Sequence, residues 1–166
     1  MTMLETIAVA FSMFSAIPMP QFMWNEKNMR YALCAFPLIG AVIGAICWGA
    51  WSLCGLLGLP NLLRGAILTL IPVLVTGGIH LDGYSDTCDA LASHASQEKK
   101  LEILKDPHVG SFAVIRICSY FVITLALWSA LKSFPWAAVL LGFCMSRTLS
   151  GLAVASFPLA KNTGLA

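Results

Sequence analysis

Between Asp82 and Asp106 the chain gathers six of its eight acidic residues. The core of this stretch reads Thr76-Gly77-Gly78-Ile79-His80-Leu81-Asp82-Gly83-Tyr84-Ser85-Asp86-Thr87-Cys88-Asp89. Asp82, Asp86 and Asp89 stand at i, i+4 and i+7, so on a helix they project within about 60° of one another. Three carboxylates on one stripe repel unless a cation neutralises them. Hard oxygen ligands suit Mg²⁺, which commonly joins one or two carboxylates to substrate phosphates. The spacing therefore predicts a metal–phosphate site with Asp82, Asp86 and Asp89 as the metal ligands. The plainer alternative is a solvated helix start whose acids favour the positive end of the dipole. Against it, Lys and Glu do not interleave through the triplet, and an apolar stretch runs straight into it, a depth at which ionisable groups are functional by default. Gly77 and Gly78 allow irregular backbone or close ligand approach, and they equally suit a helix end.

Around this core stand further polar candidates. His80 lies two residues before Asp82, about 200° away on a continuous helix; it joins the stripe only if Gly78 or Gly83 breaks that helix. The run Glu98-Lys99-Lys100-Leu101-Glu102-Ile103-Leu104-Lys105-Asp106-Pro107-His108-Val109-Gly110 fits an amphipathic interfacial helix stopped by Pro107. It is either a surface helix with Glu98, Glu102 and Lys105 paired, or a segment that turns Lys105 and Asp106 toward substrate. Arg147 lies inside an apolar stretch, where lipid exposure is costly, and should face the bundle interior. There it either binds a phosphate bidentately or compensates the acidic cluster. His94 carries no signal.

The elements that must position these residues are hydrophobic. The 166 residues are 58% hydrophobic and only 11% charged, with a mean hydropathy of +0.82, where a soluble domain carries roughly 25% charged residues. No Asp, Glu, Lys or Arg occurs between Glu5 and Glu26, between Arg30 and Arg64, or between Arg64 and Asp82. A disordered chain, a disulfide-stapled secreted module and a free-standing soluble enzyme are all poor fits. The fold class is all-α, a polytopic transmembrane bundle with four to five membrane helices, forming one integral membrane domain over 1–166. Spans are predicted at Tyr31–Leu59, which easily exceeds the ~20 residues a bilayer requires, and at Asn61–Ile79, Ser111–Leu131 and Trp136–Phe157, which are close to that length. Gly40 and Gly44 form a GxxxG pair that admits a neighbouring backbone, and Arg64 near the start of its span can snorkel. The first 20 residues, ending in Pro18-Met19-Pro20, could span, re-enter or lie at the interface.

Basic residues in short loops set the orientation. Lys27 and Arg30 precede the first firm span, and Lys99, Lys100 and Lys105 follow the second; Lys161 falls on the same side. The polar loop 80–110 is thus expected to be cytoplasmic, in a multi-pass protein of the cell (inner) membrane. Glu5 is the only charge before Pro18, so a cleaved signal peptide is not expected. The six cysteines form no CxxC pair and read as small packing residues. A net charge of +2 without a long basic run argues against a nucleic-acid partner. The lipid bilayer is the expected surrounding, and an oligomer is compatible with it.

Taken together, these residues resemble the cobalamin synthase (adenosylcobinamide-GDP ribazoletransferase) family. Gly77-Gly78-Ile79-His80-Leu81-Asp82-Gly83, followed by Ser85-Asp86-Thr87-Cys88-Asp89, is similar to the family's signature. Phe14-Ser15-Ala16-Ile17-Pro18-Met19-Pro20, Phe36-Pro37-Leu38-Ile39-Gly40, Leu101-Glu102-Ile103-Leu104-Lys105-Asp106 with Gly110, Ser146-Arg147 and Gly164-Leu165 resemble further family motifs in the same order. The resemblance implies an integral membrane enzyme of cobalamin biosynthesis that uses Mg²⁺. It joins adenosylcobinamide-GDP to α-ribazole or α-ribazole 5'-phosphate and releases GMP, with adenosylcobalamin or its phosphate as product. By that resemblance Asp82, Asp86 and Asp89 hold Mg²⁺ on the diphosphate and are catalytic. His80 or a nearby carboxylate takes the ribazole hydroxyl proton, and Lys105, Asp106 and Arg147 are the substrate-binding residues. Ala90 stands where the family often has glycine. Family members continue with further hydrophobic segments and a Thr-Gly-Asp motif followed by Gly-Ala, so the chain is expected to be C-terminally truncated relative to them: either a fragment, or a chain whose activity needs a partner that supplies the rest. The rival readings are a membrane CDP-alcohol phosphotransferase, which expects a different glycine and arginine spacing around its aspartates; a cation transporter, which expects acids on facing helices near the bilayer midplane; and an inactive fragment.

Overall fold

A computed structural model describes residues 3–20 and 26–157. Among them are seven helices and no strand: α1 (Met3–Phe14), α2 (Glu26–Leu56), α3 (Asn61–Thr76), α4 (Ile79–Ala92), α5 (Gln97–Ile103), α6 (Ser111–Ala130) and α7 (Trp136–Ser156). The part Tyr31–Leu56 of α2, all of α6 and all of α7 are long and apolar enough to cross a membrane. The pair α3 and α4 makes a fourth candidate span, bent by 93° at its break. The protein is a polytopic all-α membrane protein.

Each helix ends for a local reason. The predicted second span ran to Ile79, but α3 stops at Thr76 because Gly77 and Gly78 adopt φ of 64° and 81°, a left-handed region that side chains disfavour. Gly77 donates its amide to Leu74 (3.3 Å) and Gly78 donates to Val73 (2.9 Å), which satisfies two carbonyls a helix end leaves open. The first 20 residues, left open by the sequence, form α1, whose 12 residues make about 18 Å of helix, short of a ~30 Å hydrocarbon core. Instead of spanning, α1 lays Val9 and Ala10 against Ala32 and Ala35 of α2. Its end then docks on α3, with the Ala16 amide donating to the Val75 carbonyl at 2.8 Å.

The long helices stand in a row, with α2 packed between α7 and α3, and α3 between α2 and α6. Small residues set how closely they approach. A Cβ on Gly40 would lie 2.5 Å from the Phe143 carbonyl oxygen, and one on Gly44 would lie 3.0 Å from the Leu140 side chain, so the predicted GxxxG pair is where α7 seats on α2. Gly65 does the same between α3 and Ser129 of α6. The core beneath holds Phe36, Ile39, Ile43, Cys47, Leu68 and Ile71. All six cysteines are free.

At the α3 amino-terminal end of the bundle, aromatic residues gather around one cation. The Arg64 guanidinium carbon sits 4.6 Å from the centre of the Trp51 ring. Phe134 lies 5.7 Å from Trp51 and stacks on Trp128 at 6.1 Å. Arg64 was expected to snorkel outward; here an aromatic face takes the charge, an interaction that strengthens as water is excluded.

Candidate active site

The site is organised by α4, a helix that runs through Gly83 without interruption. The break comes earlier, at Gly78, so His80 is already within the helix and lies on the flank opposite Asp82. Asp82, the first residue of the predicted acidic stripe, and the predicted base therefore border two different cavities. One, of about 410 Å³, is bordered by Gly77, Gly78, Asp82, Ser85, Val109 and Ile117. The other, of about 360 Å³, is bordered by Thr76, His80, Tyr84, Tyr120, Phe143 and Arg147. Leu81 is a wall of both.

Along the stripe the three aspartates are not equivalent. Asp89 accepts the Gly110 amide at 2.6 Å on Oδ2 and the Ala113 amide at 2.9 Å on Oδ1. Gly110 is the N-cap residue of α6 and has no side chain to bond the amides of the first turn; Asp89, reaching over from α4, performs that office. Its negative charge also sits at the positive end of the α6 dipole. The approach requires a glycine, because a Cβ on Gly110 would lie 2.7 Å from the Asp89 carboxyl. Asp82 is exposed and Asp86 half-buried, and among the described residues neither carboxylate enters a hydrogen bond or ion pair. Nor, among those residues, does any group of three His, Cys, Asp or Glu side chains converge closely enough to hold a metal ion. What the helix does offer is Asp82 at the edge of an open cavity with Asp86 one turn further along α4, two oxygen donors of the kind that fits Mg²⁺ shared with a ligand phosphate.

The opposite flank is cationic. Arg147 projects from α7, not toward lipid but toward α4, with its guanidinium carbon 5.9 Å from the Phe143 ring centre and close enough for its charge to act on the His80 imidazole. His80 Nε2 and Arg147 Nε are both buried atoms without a hydrogen-bond partner among the described residues. The His80 ring is fixed from behind by Phe36 at 5.6 Å, which itself contacts Phe14 at 4.5 Å. The cavity opens where α6 and α7 part: a short turn joins them, yet α6 packs on α3 and α7 on α2.

Lys105 and Asp106 lie past the end of α5, both exposed. Asp106 accepts the His108 amide at 2.9 Å and lies 2.6 Å from the His108 ring nitrogen; these bonds, the amide first, hold its carboxyl below the ordinary aspartate range. It thus shapes the turn leading to Gly110. The expected Glu102–Lys105 pair is replaced by Lys99 to Glu102 at 2.7 Å, which leaves the Lys105 amine outside that pair. Lys161 and Gly164-Leu165 lie outside the described residues, as do the side chains of Lys27 and Arg30. Sequence reasoning missed Thr76, Tyr84 and Tyr120 as cavity walls. Thr76 and Tyr84 stand four residues to either side of His80, a spacing that could have flagged them; Tyr120 depends on how α6 and α7 diverge.

The chain matches the cobalamin-5-phosphate synthase family over residues 6–166. It belongs to that family. An adenosylcobinamide-GDP ribazoletransferase of Lachnoclostridium phytofermentans is 48% identical over 165 residues, covering 99% of this chain and 63% of that protein. The protein of the same name from Clostridium botulinum (strain Eklund 17B) is 37% identical over 117 residues, covering 70% of this chain and 46% of its own length. One from Desulfitobacterium hafniense is 32% identical over 169 residues, covering 99% and 66%. The chain thus spans less than two thirds of the length of these relatives. No solved structure matches it. Membership in the cobalamin-5-phosphate synthase family displaces the CDP-alcohol phosphotransferase reading. The placement of the acids along one helix, α4, rather than on facing helices, is also not what a cation permeation path requires.

Proposed function

We propose that this chain carries the site of an adenosylcobinamide-GDP ribazoletransferase acting in cobalamin biosynthesis, with α4 on the cytoplasmic side of the cell membrane. The relatives' shared name and the family match support the activity. The observation that carries the reading is the two-sided arrangement of α4, with Asp82 on one flank and His80 with Arg147 on the other, Leu81 bordering both cavities. The orientation is supported by Lys99, Lys100 and Lys105 beside α4, together with Lys27 and Arg30.

In this reading a ribazole hydroxyl oxygen attacks the phosphorus attached to cobinamide, the bond from that phosphorus to the GMP oxygen breaks, and the hydroxyl proton is taken up by a base. Such phosphoryl transfer needs positioning and charge neutralisation more than covalent participation by the protein. Asp82 and Asp86 are the residues that would hold Mg²⁺, which supplies neutralisation of diphosphate charge when bound. Arg147 offers its fork to phosphate oxygens from within the cleft between α6 and α7. His80 accepts the proton at Nε2, the buried ring nitrogen that has no partner among the described residues. Lys105, exposed past the end of α5, adds a positive charge available to substrate phosphate. Asp89, bonded to the Gly110 and Ala113 amides, acts in this reading as a positioning residue that ties α4 to α6 and so fixes where Asp82 and Asp86 stand. The nucleophile-bearing substrate is α-ribazole or its 5'-phosphate.

Membranes carrying the chain, incubated with adenosylcobinamide-GDP, α-ribazole and Mg²⁺, are expected to release GMP, and to stop doing so on chelation or with Arg147→Gln. GMP release that is indifferent to both changes would refute the assignment.

A further inference from the structure

We propose that a second anion site lies on the outer flank of α4, built by Arg116, His94 and Tyr84, and that it takes a phosphate ester carrying an apolar or aromatic group. Arg116 is the only charged residue of α6. It stands five positions past the first residue, about 8 Å along the axis, and its side chain is exposed on a helix apolar enough to cross a bilayer. A guanidinium there is costly unless it reaches an anion. Among the described residues no carboxylate pairs with it. Asp89, the acid that α4 brings to this end of α6, is engaged elsewhere, on the amides of Gly110 and Ala113.

Beside Arg116 opens a cavity of about 540 Å³, bordered by Tyr84, Cys88, Leu91, His94, Phe112 and Arg116. It is large enough for a phosphate with a substituent. Tyr84 and Arg116, from α4 and α6, border this one cavity. His94 joins them because the turn after α4 carries its backbone through φ 50°. The remaining walls are apolar, with Leu91 and Phe112 60% and 58% exposed. Guanidinium, imidazole and phenol together form a donor set for phosphate oxygens, and Phe112 and Leu91 provide the surface for whatever the phosphate carries. Simple snorkelling would account for the arginine; it does not require a cavity or two further polar groups at its edge. Tyr84 also borders the His80–Arg147 cavity. Phosphate chemistry of this kind has two sources, the headgroup of an anionic phospholipid and a soluble phosphate ester.

The test uses the full chain in neutral detergent, followed by native mass spectrometry and thermal unfolding with phosphatidylglycerol, phosphatidylcholine or inorganic phosphate added. Wild type is expected to retain phosphatidylglycerol over phosphatidylcholine and to unfold several degrees higher with it. Arg116→Gln is expected to lower retention at least about fivefold, the scale of one lost charge-assisted bond. Lys132→Gln, the same charge loss in the turn between α6 and α7, should leave retention unchanged, and Arg116→Lys should restore part of it in a folded protein. A stabilisation by inorganic phosphate alone, absent from Arg116→Gln, supports the site and assigns a soluble ester as its ligand. Equal retention by wild type and Arg116→Gln overturns the proposal, as does the absence of both a phosphatidylglycerol preference and a phosphate response.

Discussion

Asp89 and Gly110, 21 residues apart, meet so closely that the carboxylate of one occupies the space a side chain on the other would need. A bond from a backbone amide to a charged acceptor contributes about 1.5–3 kcal/mol, and Asp89 accepts two. Asp89→Ala should therefore lower stability by several kcal/mol. Gly110→Ala should cost a comparable amount by displacing the carboxylate, since φ at Gly110 is −83° and alanine itself is unstrained there. The decisive case is the double variant: with Asp89 already alanine, Gly110→Ala should add almost nothing. Thermal unfolding of all four proteins in detergent measures the coupling, and additive losses would show that the two residues act separately.

The close approach of α2 and α7 gives a second prediction. Gly40→Ala must push a Cβ into the backbone of Phe143 and should cost about 1–3 kcal/mol, the usual penalty of overpacking. Gly49, on the same helix, has open space where its Cβ would go, and Gly49→Ala should stay within about 0.5 kcal/mol of wild type or gain slightly in helix propensity. Unfolding temperatures of the two variants compare them directly.

Part of this was readable in the sequence, for physical reasons that differ by residue. The acidic stripe followed from 100° per residue, and the same arithmetic set His80 on the other flank once Gly83 was found inside an unbroken helix. Gly40 and Gly44 announced a close helix contact, although only the fold names α7 as the partner. The role of Asp89 was hidden because its partners are backbone amides 21 and 24 residues away, and neither Gly110 nor Ala113 has a side chain that signals a bond. Arg64 was read as able to snorkel because the Trp51 ring that receives it belongs to another helix, α2.

At that end of the bundle, Arg64 and Trp51 should be energetically coupled. A double-mutant cycle with Arg64→Met and Trp51→Leu is expected to give about 0.5–2 kcal/mol of interaction, the range for a cation over an indole. A coupling of zero would mean that the guanidinium turns to water or headgroups in solution.

The turn before α6 should respond to acid late. The His108 amide and ring hold the Asp106 carboxyl below its ordinary range. The order they give the turn is thus fully present above the unfolded-state pKa of about 3.9 and is lost only as pH falls through the lower folded value. Hydrogen exchange or NMR of the His108 amide across an acid titration checks this; loss of the bond above pH ~4 would contradict it.

The distinction between Asp82 and Asp86 as metal-holding carboxylates and Asp89 as a structural tie is most directly tested by metal binding itself. Mn²⁺, substituted for Mg²⁺ and titrated by electron paramagnetic resonance with adenosylcobinamide-GDP present, should bind wild type and a folded Asp89→Asn protein with similar affinity, and Asp82→Asn at least about tenfold more weakly, the loss of roughly 1.4 kcal/mol or more. Undiminished binding by Asp82→Asn, or an equal loss in Asp89→Asn, would contradict it.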